Sequence, residues 1–494
     1  MDYLPILLPW MLSMIFGVFV GATPGLTATM AVALIVPLSI QFDDPNAGLA
    51  MIIGVSFTAI FAGDIPATFL RIPGTPASAA ATLDGHALAQ KGLGEQALKL
   101  NLVCSALGGL IGVVILMLLA PQMAKFALKF SNFEYFWLAV FGLTMSATVS
   151  AGNTFKGMLA AGLGILISTV GIDNISGTAR FTFKTAELSG GIQFIPVMIG
   201  LFGLSEVLRN ARRDDGSTVS MTTPTQQPGS FLVAAKTMAR RWRTVVQSAV
   251  TGTIIGALPG AGADVAAWAA YGLAKKTSKK PDTFGKGAEE GIIAPTSANN
   301  AAVAGAWIPA LVFGIPGDAV TAIVLGAMLM YDLKPGPQIF VESPEKVKAI
   351  FSIALATQAL LLVAGYCGIR AFRWVMRMPR QAVLTSVVVF SVVGAFSLNN
   401  RMFDVYVMVA AGLLGWFLDS QKVPIAPLIL GLILGPLAEE KLRAGLIAEQ
   451  GNLVPLFTRP ICAILVTLLV LMLLGAIVNA VRNRRKKNQG DTTP

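Results

Sequence analysis

The chain has 494 residues, of which 54% are hydrophobic and only 13% charged. A soluble domain carries about 25% charged residues, so the composition excludes an ordinary water-soluble enzyme or binding module. The formal charge is +11, but the basic residues gather at 209–243, 275–286, 370–380 and 482–487, between apolar runs. That is the pattern of cytoplasmic membrane loops facing anionic lipid headgroups, not of a nucleic-acid-binding face.

Apolar runs follow one another from residue 3 to 481. They do not alternate as barrel strands do, so the expected fold is an all-α polytopic membrane protein. Asp2 stands where a signal peptide would carry positive charge, so the first run reads as part of the mature fold. That run, 3–40, is interrupted by Gly21-Ala22-Thr23-Pro24-Gly25. Pro and Gly break a helix, which predicts a re-entrant hairpin, or two spans. It opens on the outer side, because neither flank carries Lys or Arg. Thr23, Thr27 and Thr29 put hydroxyls at its tip. The next crossing, 47–83, contains Asp64, Arg71 and a second break, Ile72-Pro73-Gly74, followed by Thr75. Asp84-Gly85-His86, with the chain's one histidine, reads as a solvated loop. Further crossings are expected near 100–120, 133–149, 157–171 and 191–208. They carry the chain to the basic segment 209–243, in which the turn-rich stretch 214–230 reads as a flexible linker.

The pattern then returns. Gly256-Ala257-Leu258-Pro259-Gly260 lies 235 residues beyond the first such motif, and Ile315-Pro316-Gly317 lies 243 beyond Ile72-Pro73-Gly74. The apolar stretch 244–274 has 31 residues between two basic flanks. Two crossings need roughly 40 and one about 20, which predicts a re-entrant hairpin from the cytoplasm with its tip near mid-membrane. Six more crossings are expected near 292–330, 350–369, 384–396, 405–418, 425–437 (short enough to be re-entrant) and 461–481. The resulting organisation is an N-terminal repeat (1–208), a polar and basic cytoplasmic linker (209–243), a C-terminal repeat (244–481) and a basic cytoplasmic tail (482–494). About 11 crossings and two hairpins place the two repeats in opposite orientation.

Broken apolar helices at matching places in two halves point to a transporter binding site. Each tip exposes backbone N–H groups where its returning helix begins, and such ends bind anions. The candidate substrate contacts are therefore Thr23, Pro24, Gly25, Thr27, Pro73, Gly74 and Thr75 in the first half. Pro259, Gly260, Ala261, Gly262, Pro316 and Gly317 are their counterparts in the second, with the adjacent amides Asn299 and Asn300 as orienting groups. Asp64, Asp264 and Asp318 lie inside apolar stretches, where a charge costs about 2.5–3.5 kcal/mol. Asp64, Asp264 and Asp318 are the candidate cation-coupling residues for Na⁺ or H⁺, and for Asp264 and Asp318 a helix N-cap is the other reading. Aligning the two copies sets Asp264 opposite Thr29 and Asp318 opposite Thr75. Arg71 suits a carboxylate, a pair with Asp64, or snorkelling to an interface. Cys104, Cys367 and Cys462 each sit in an apolar run, as small core residues without disulfide or metal spacing. One histidine excludes a His-Glu-x-x-His site, and there is no nucleophile elbow or Walker loop. No enzyme, cofactor or resident metal is therefore expected, only a possible transported Na⁺ or H⁺.

The runs 257–263 (Ala-Leu-Pro-Gly-Ala-Gly-Ala), Ser278-Lys279-Lys280-Pro281, Phe284-Gly285-Lys286-Gly287-Ala288, Ala298-Asn299-Asn300, Gly314-Ile315-Pro316-Gly317 and Lys334-Pro335-Gly336-Pro337 form a long ordered set with the first-half Gly21 to Gly25 motif. On these residues, from about 17 to 340, the chain closely resembles the large membrane subunit of the tripartite tricarboxylate transporters. The resemblance implies a bacterial inner-membrane carrier for carboxylates such as citrate, driven by a cation gradient, often Na⁺, in symport. It also implies a small membrane subunit and a periplasmic substrate-binding protein as partners. A carrier for another small organic anion, an ion antiporter and a channel are the alternatives.

Overall fold

The computed structural model describes residues 4–42, 44–149, 154–173, 175–211, 227–375 and 380–490. Helices α1 (Leu4–Ala22) and α2 (Ala28–Ser39) flank the first Pro-Gly tip. Then come α3 (Pro45–Ala62), α4 (Asp64–Leu70), a 3-10 turn (Pro76–Ser78), α5 (Ala79–Gln90) and α6 (Gly94–Ala127). They are followed by α7 (Asn132–Val149), α8 (Thr154–Ser168), a small antiparallel hairpin of β1 (Gly171–Ile172) and β2 (Ala179–Arg180), and α9 (Ala186–Ser189). A π-helical turn (Ile199–Leu204) joins α10 (Phe194–Met198) to α11 (Ser205–Ala211). Next are α12 (Phe231–Arg240), α13 (Trp242–Gly256), α14 (Gly262–Thr277), α15 (Glu289–Phe313) and α16 (Ala319–Met330). The chain closes with α17 (Ile339–Glu342), α18 (Pro344–Val375), α19 (Arg380–Asn399), α20 (Met402–Ser420), α21 (Ile425–Ala448), α22 (Val454–Thr458) and α23 (Pro460–Gly490). Six of the described helical rods are long and apolar enough to cross a membrane, and five shorter helices are apolar. The protein is an all-α polytopic membrane protein.

Contacts divide it into two compact units, Met1–Leu128 with Gln193–Gln421, and Lys129–Ile192 with Lys422–Pro494. In the first unit, α1 packs on α3 and α13 packs on α15. Small residues permit this, because helices in lipid associate by close backbone approach. A Cβ at Gly21 would overlap the Ala59 carbonyl oxygen, and one at Gly256 would overlap that of Ala302. The breaks then fold back on the same helices. A Cβ at Gly74 would overlap the Gly21 carbonyl oxygen and stand 2.8 Å from Gly63 Cα. One at Gly317 would stand 2.5 Å from the Gly256 carbonyl oxygen and 2.7 Å from Ala306 Cα. Ala59 and Ala302, Gly63 and Ala306, and Gly74 and Gly317 are all 243 residues apart. Both helices that precede a break end in the left-handed region, α4 at Arg71 (φ 60°) and α15 at Gly314 (φ 69°). Both tips turn on a left-handed glycine, Gly25 (φ 90°) and Gly260 (φ 83°). The same local contacts thus recur in the two halves.

In the second unit, α8 and α21 pack closely at Gly164 and Gly431. The β hairpin is tied to α21 by charge. Asp173 receives Arg443 at 2.6 Å and the Ser176 hydroxyl at 2.5 Å, and Arg180 pairs with Glu439 at 2.7 Å. The Ser176 hydroxyl bond, and after it Arg443, hold the Asp173 carboxyl well below the usual carboxylate range.

Three expectations are corrected. His86 is not in a solvated loop. It lies in α5, half-buried, with Nδ1 3.0 Å from the Thr68 carbonyl oxygen, because α5 continues through Gly85. Cys367 is exposed, whereas Cys104 and Cys462 are buried. The segment expected at 425–437 extends to Ala448, since Pro436 is carried inside α21. Residues 212–226 of the expected linker, 376–379 of one basic cluster and 491–494 of the tail lie outside the described residues.

Two predictions follow from packing and charge. Gly74→Ala and Gly317→Ala force a Cβ onto backbone that cannot rotate away, at about 1–3 kcal/mol each. Gly272→Ala in α14 meets nothing within 4 Å and exchanges a poor helix former for a good one. Thermal unfolding of the purified protein should show a lowered midpoint for the first two and an unchanged or raised one for the third. A depressed carboxyl pKa contributes its full stability above the ordinary carboxylate range and loses it progressively as pH falls from that range through the lowered value. Hydrogen-exchange protection of the hairpin amides, corrected for intrinsic rate, should therefore decline gradually across pH values that protonate an ordinary aspartate and not collapse there. Asp173→Asn should lose much of that protection at neutral pH as well.

Candidate functional site

The folded-back breaks bring the starts of several helices to one place. A cavity of ≈ 240 Å³ is lined by Thr27, Ala28 and Thr29 at the start of α2, Thr75 and Pro76 at the 3-10 turn, Gly262, Ala263 and Asp264 at the start of α14, and Asp318, Ala319 and Val320 at the start of α16. Ile60 of α3 and Phe202 of the π-helical turn complete the wall. The lining is paired. Thr27 matches Gly262, Ala28 matches Ala263 and Thr29 matches Asp264 at the first offset, 235; Thr75 matches Asp318 and Pro76 matches Ala319 at the second, 243.

The four starts are not served alike. Thr27 caps α2, its hydroxyl accepting from Met30 N at 3.2 Å. Asp318 caps α16 in a reciprocal capping box. Its carboxylate accepts from Thr321 N at 2.8 Å, and its own N–H donates to the Thr321 hydroxyl at 3.0 Å. The 3-10 turn after Thr75 and the start of α14 have no side-chain cap. Asp264 stands in the first turn of α14, where a carboxylate offsets the partial positive charge of the helix N-terminus, and the 3-10 turn opens on Pro76, which has no N–H. The cavity is therefore lined by the hydroxyl residues Thr27, Thr29 and Thr75 and by two carboxylates, Asp264 and Asp318.

Of the candidate contacts, Thr27, Thr75, Gly262, Asp264 and Asp318 meet at this cavity. Pro24 and Gly25, like Pro259, Gly260 and Ala261, form the turns that deliver α2 and α14. Thr23 spends its hydroxyl on the Phe19 carbonyl at 2.8 Å. Pro73, Gly74, Pro316 and Gly317 form the breaks, and hydrogen bonds fix them. Gly74 N donates to Gly63 O at 3.0 Å, and Gly260 N donates to Gly317 O at 2.8 Å, tying the second tip to the second break. Asn299 and Asn300 are fully buried in α15, and Asp64 is fully buried at the start of α4. Arg71 is exposed and makes no ion pair with Asp64 among the described residues.

Sequence reasoning missed Asp84. It is fully buried in α5 and accepts from Gly285 N (2.9 Å), Gly287 N (2.8 Å), Ala288 N (2.7 Å) and the Tyr271 hydroxyl (2.9 Å). One carboxylate so clamps the Gly285 to Ala288 loop and α14 onto the first half. The glycine spacing of that loop was the available signal, since left-handed glycines form concave sets of N–H donors that hold anions. Phe202 was also missed, and its π-helical turn leaves no mark in apolar periodicity.

Residues 7–430 match a family model described as the tripartite tricarboxylate transporter TctA family. The chain is 33% identical over 484 residues to an uncharacterized 52.8 kDa protein in the TAR-I ttuC' 3' region of Agrobacterium vitis, covering 98% of this chain and 95% of that one. It is 36% identical over 234 residues to an uncharacterized protein in the TAR-II ttuC' 3' region of the same organism, covering 47% of this chain and 97% of that one. No solved structure matches. With the paired tips and breaks that carry its motifs, the chain belongs to the TctA family of tripartite tricarboxylate transporters.

Proposed function

We propose that this protein is the membrane carrier for secondary active, cation-coupled uptake of a tricarboxylate or related organic carboxylate across the inner membrane, with the cavity between the two breaks as its substrate site. The convergence of helix starts carries this reading, because N-terminal N–H groups bind carboxylates without cationic side chains. The Thr27, Thr29 and Thr75 hydroxyls receive the anion. Asp264 and Asp318 repel it, so a cation entering with the substrate offsets their charge, and this makes loading depend on both. A small membrane subunit and a periplasmic binding protein that delivers substrate complete the system. The two halves, in opposite orientation, expose the cavity to each side in turn.

The test is uptake of labelled citrate and related carboxylates by proteoliposomes holding this subunit and its small partner. Uptake should require the binding protein and an inward Na⁺ or H⁺ gradient. Thr75→Val removes one hydrogen bond worth about 1 kcal/mol and should raise the half-saturating substrate concentration several-fold. Asp264→Asn with Asp318→Asn should flatten the cation dependence. No uptake of any carboxylate by folded protein, under any gradient, would replace this reading with ion exchange.

A further inference from the structure

Beneath the first break lies a second polar group that the cavity does not account for. Asp64 is fully buried, and neither of its carboxylate oxygens has a hydrogen bond of good geometry. Asn101, Ser78 and Asn299 are polar side chains close enough to act on it. Asn299 and its neighbour Asn300 are fully buried as well, and all their amide oxygens and nitrogens are without partners. A buried carboxylate without a partner is among the costliest arrangements a protein can hold. Among the described residues, no cationic side chain pairs with it. Arg71 points outward, and Lys99 is taken up by Glu95 (2.8 Å) and the Gly229 carbonyl (2.7 Å).

We propose that Asp64, with Asn101, Asn299 and Ser78, is an occluded binding site for one monovalent cation, Na⁺ or a proton, distinct from the substrate cavity. It extends the transport reading above by assigning a separate locus to a coupling ion. One carboxylate and neutral oxygens suit a hard cation of single charge. No group of three His, Cys, Asp or Glu side chains comes together among the described residues, which removes the donor sets of transition metals. A proton would serve the same oxygens, as a carboxylic acid donating to an amide carbonyl.

The site communicates with the cavity. Thr75, in the cavity wall, shares a hydrogen bond of 2.9 Å with Ser78, which faces Asp64. The break itself is bonded to the residue before Asp64 through Gly74 N to Gly63 O. A movement of the break on substrate binding is thus a movement of the cation site. The repeat does not duplicate it, since the position matching Asp64 in the second half is Trp307. The inference is therefore one such ion per chain.

The experiment measures ion binding to the purified full-length chain with no carboxylate present, so its failure is separate from that of the uptake assay. Thermal stability is titrated with NaCl against choline chloride, and infrared spectra are recorded for the carbonyl band of a protonated carboxylic acid. Wild type should show either a Na⁺-specific stabilisation or that band. Asp64→Asn should abolish whichever is seen, and Gly272→Ala, whose added Cβ meets nothing within 4 Å, should keep it. Should Asp64→Asn fail to fold, Asn299→Ala keeps the carboxylate and removes one ligand. It should raise the half-saturating Na⁺ concentration about tenfold or more, or shift the acid band. A Na⁺ effect or acid band that survives Asp64→Asn or is untouched by Asn299→Ala would overturn the site. So would the absence of both signals in wild type.

Discussion

Everything at the functional centre depends on a glycine meeting a backbone carbonyl. Gly74 lies against the Gly21 carbonyl, and Gly317 lies against that of Gly256. Only a residue without Cβ lets the broken helix return so close to the helix that carries the tip. Because both contacts are made, the starts of α2, α14, α16 and the 3-10 turn reach one cavity. The exposed N–H groups of those starts are unavoidable products of ending and restarting a helix. The packing thus places helix starts where an irregular backbone lines a cavity.

The two halves use this frame differently. At matched positions the first half offers Thr29 and Thr75, and the second offers Asp264 and Asp318. A hydroxyl donates to a carboxylate or completes a cation shell, whereas a carboxylate only accepts. One geometric frame thus carries hydroxyls from one half and carboxylates from the other. The buried Asp64 adds a third chemical element, reached from the cavity through two hydroxyls, Thr75 and Ser78.

Much of this was legible in the sequence, and the reason is local. Pro and Gly fix where helices stop, so both tips and both breaks were readable, and apolar runs fixed the crossings that became α6, α7, α8 and α18 to α20. Aligning the copies also paired Asp264 with Thr29 and Asp318 with Thr75, which face the same cavity. What stayed hidden depends on contacts distant in sequence. Asp84 looked like loop chemistry because its partners, Gly285 to Ala288, lie some 200 residues away in sequence. The end of α5 could not be placed because Gly85 sits inside a helix that tertiary packing sustains. Asn299 is fully buried in α15, and its nearness to Asp64 depends on the folded arrangement of α4 and α15.

The most direct test of a shared substrate cavity is site-specific thiol labelling. Pro76→Cys and Ala319→Cys occupy matched positions in the two halves and line the same space. Each would be made separately in a chain with the exposed Cys367 replaced. A panel of di- and tricarboxylates, with Na⁺ present, should slow labelling at both positions over the same concentration range. Unchanged labelling at both, under conditions where the same variants take up carboxylate, would contradict a substrate site between the two breaks.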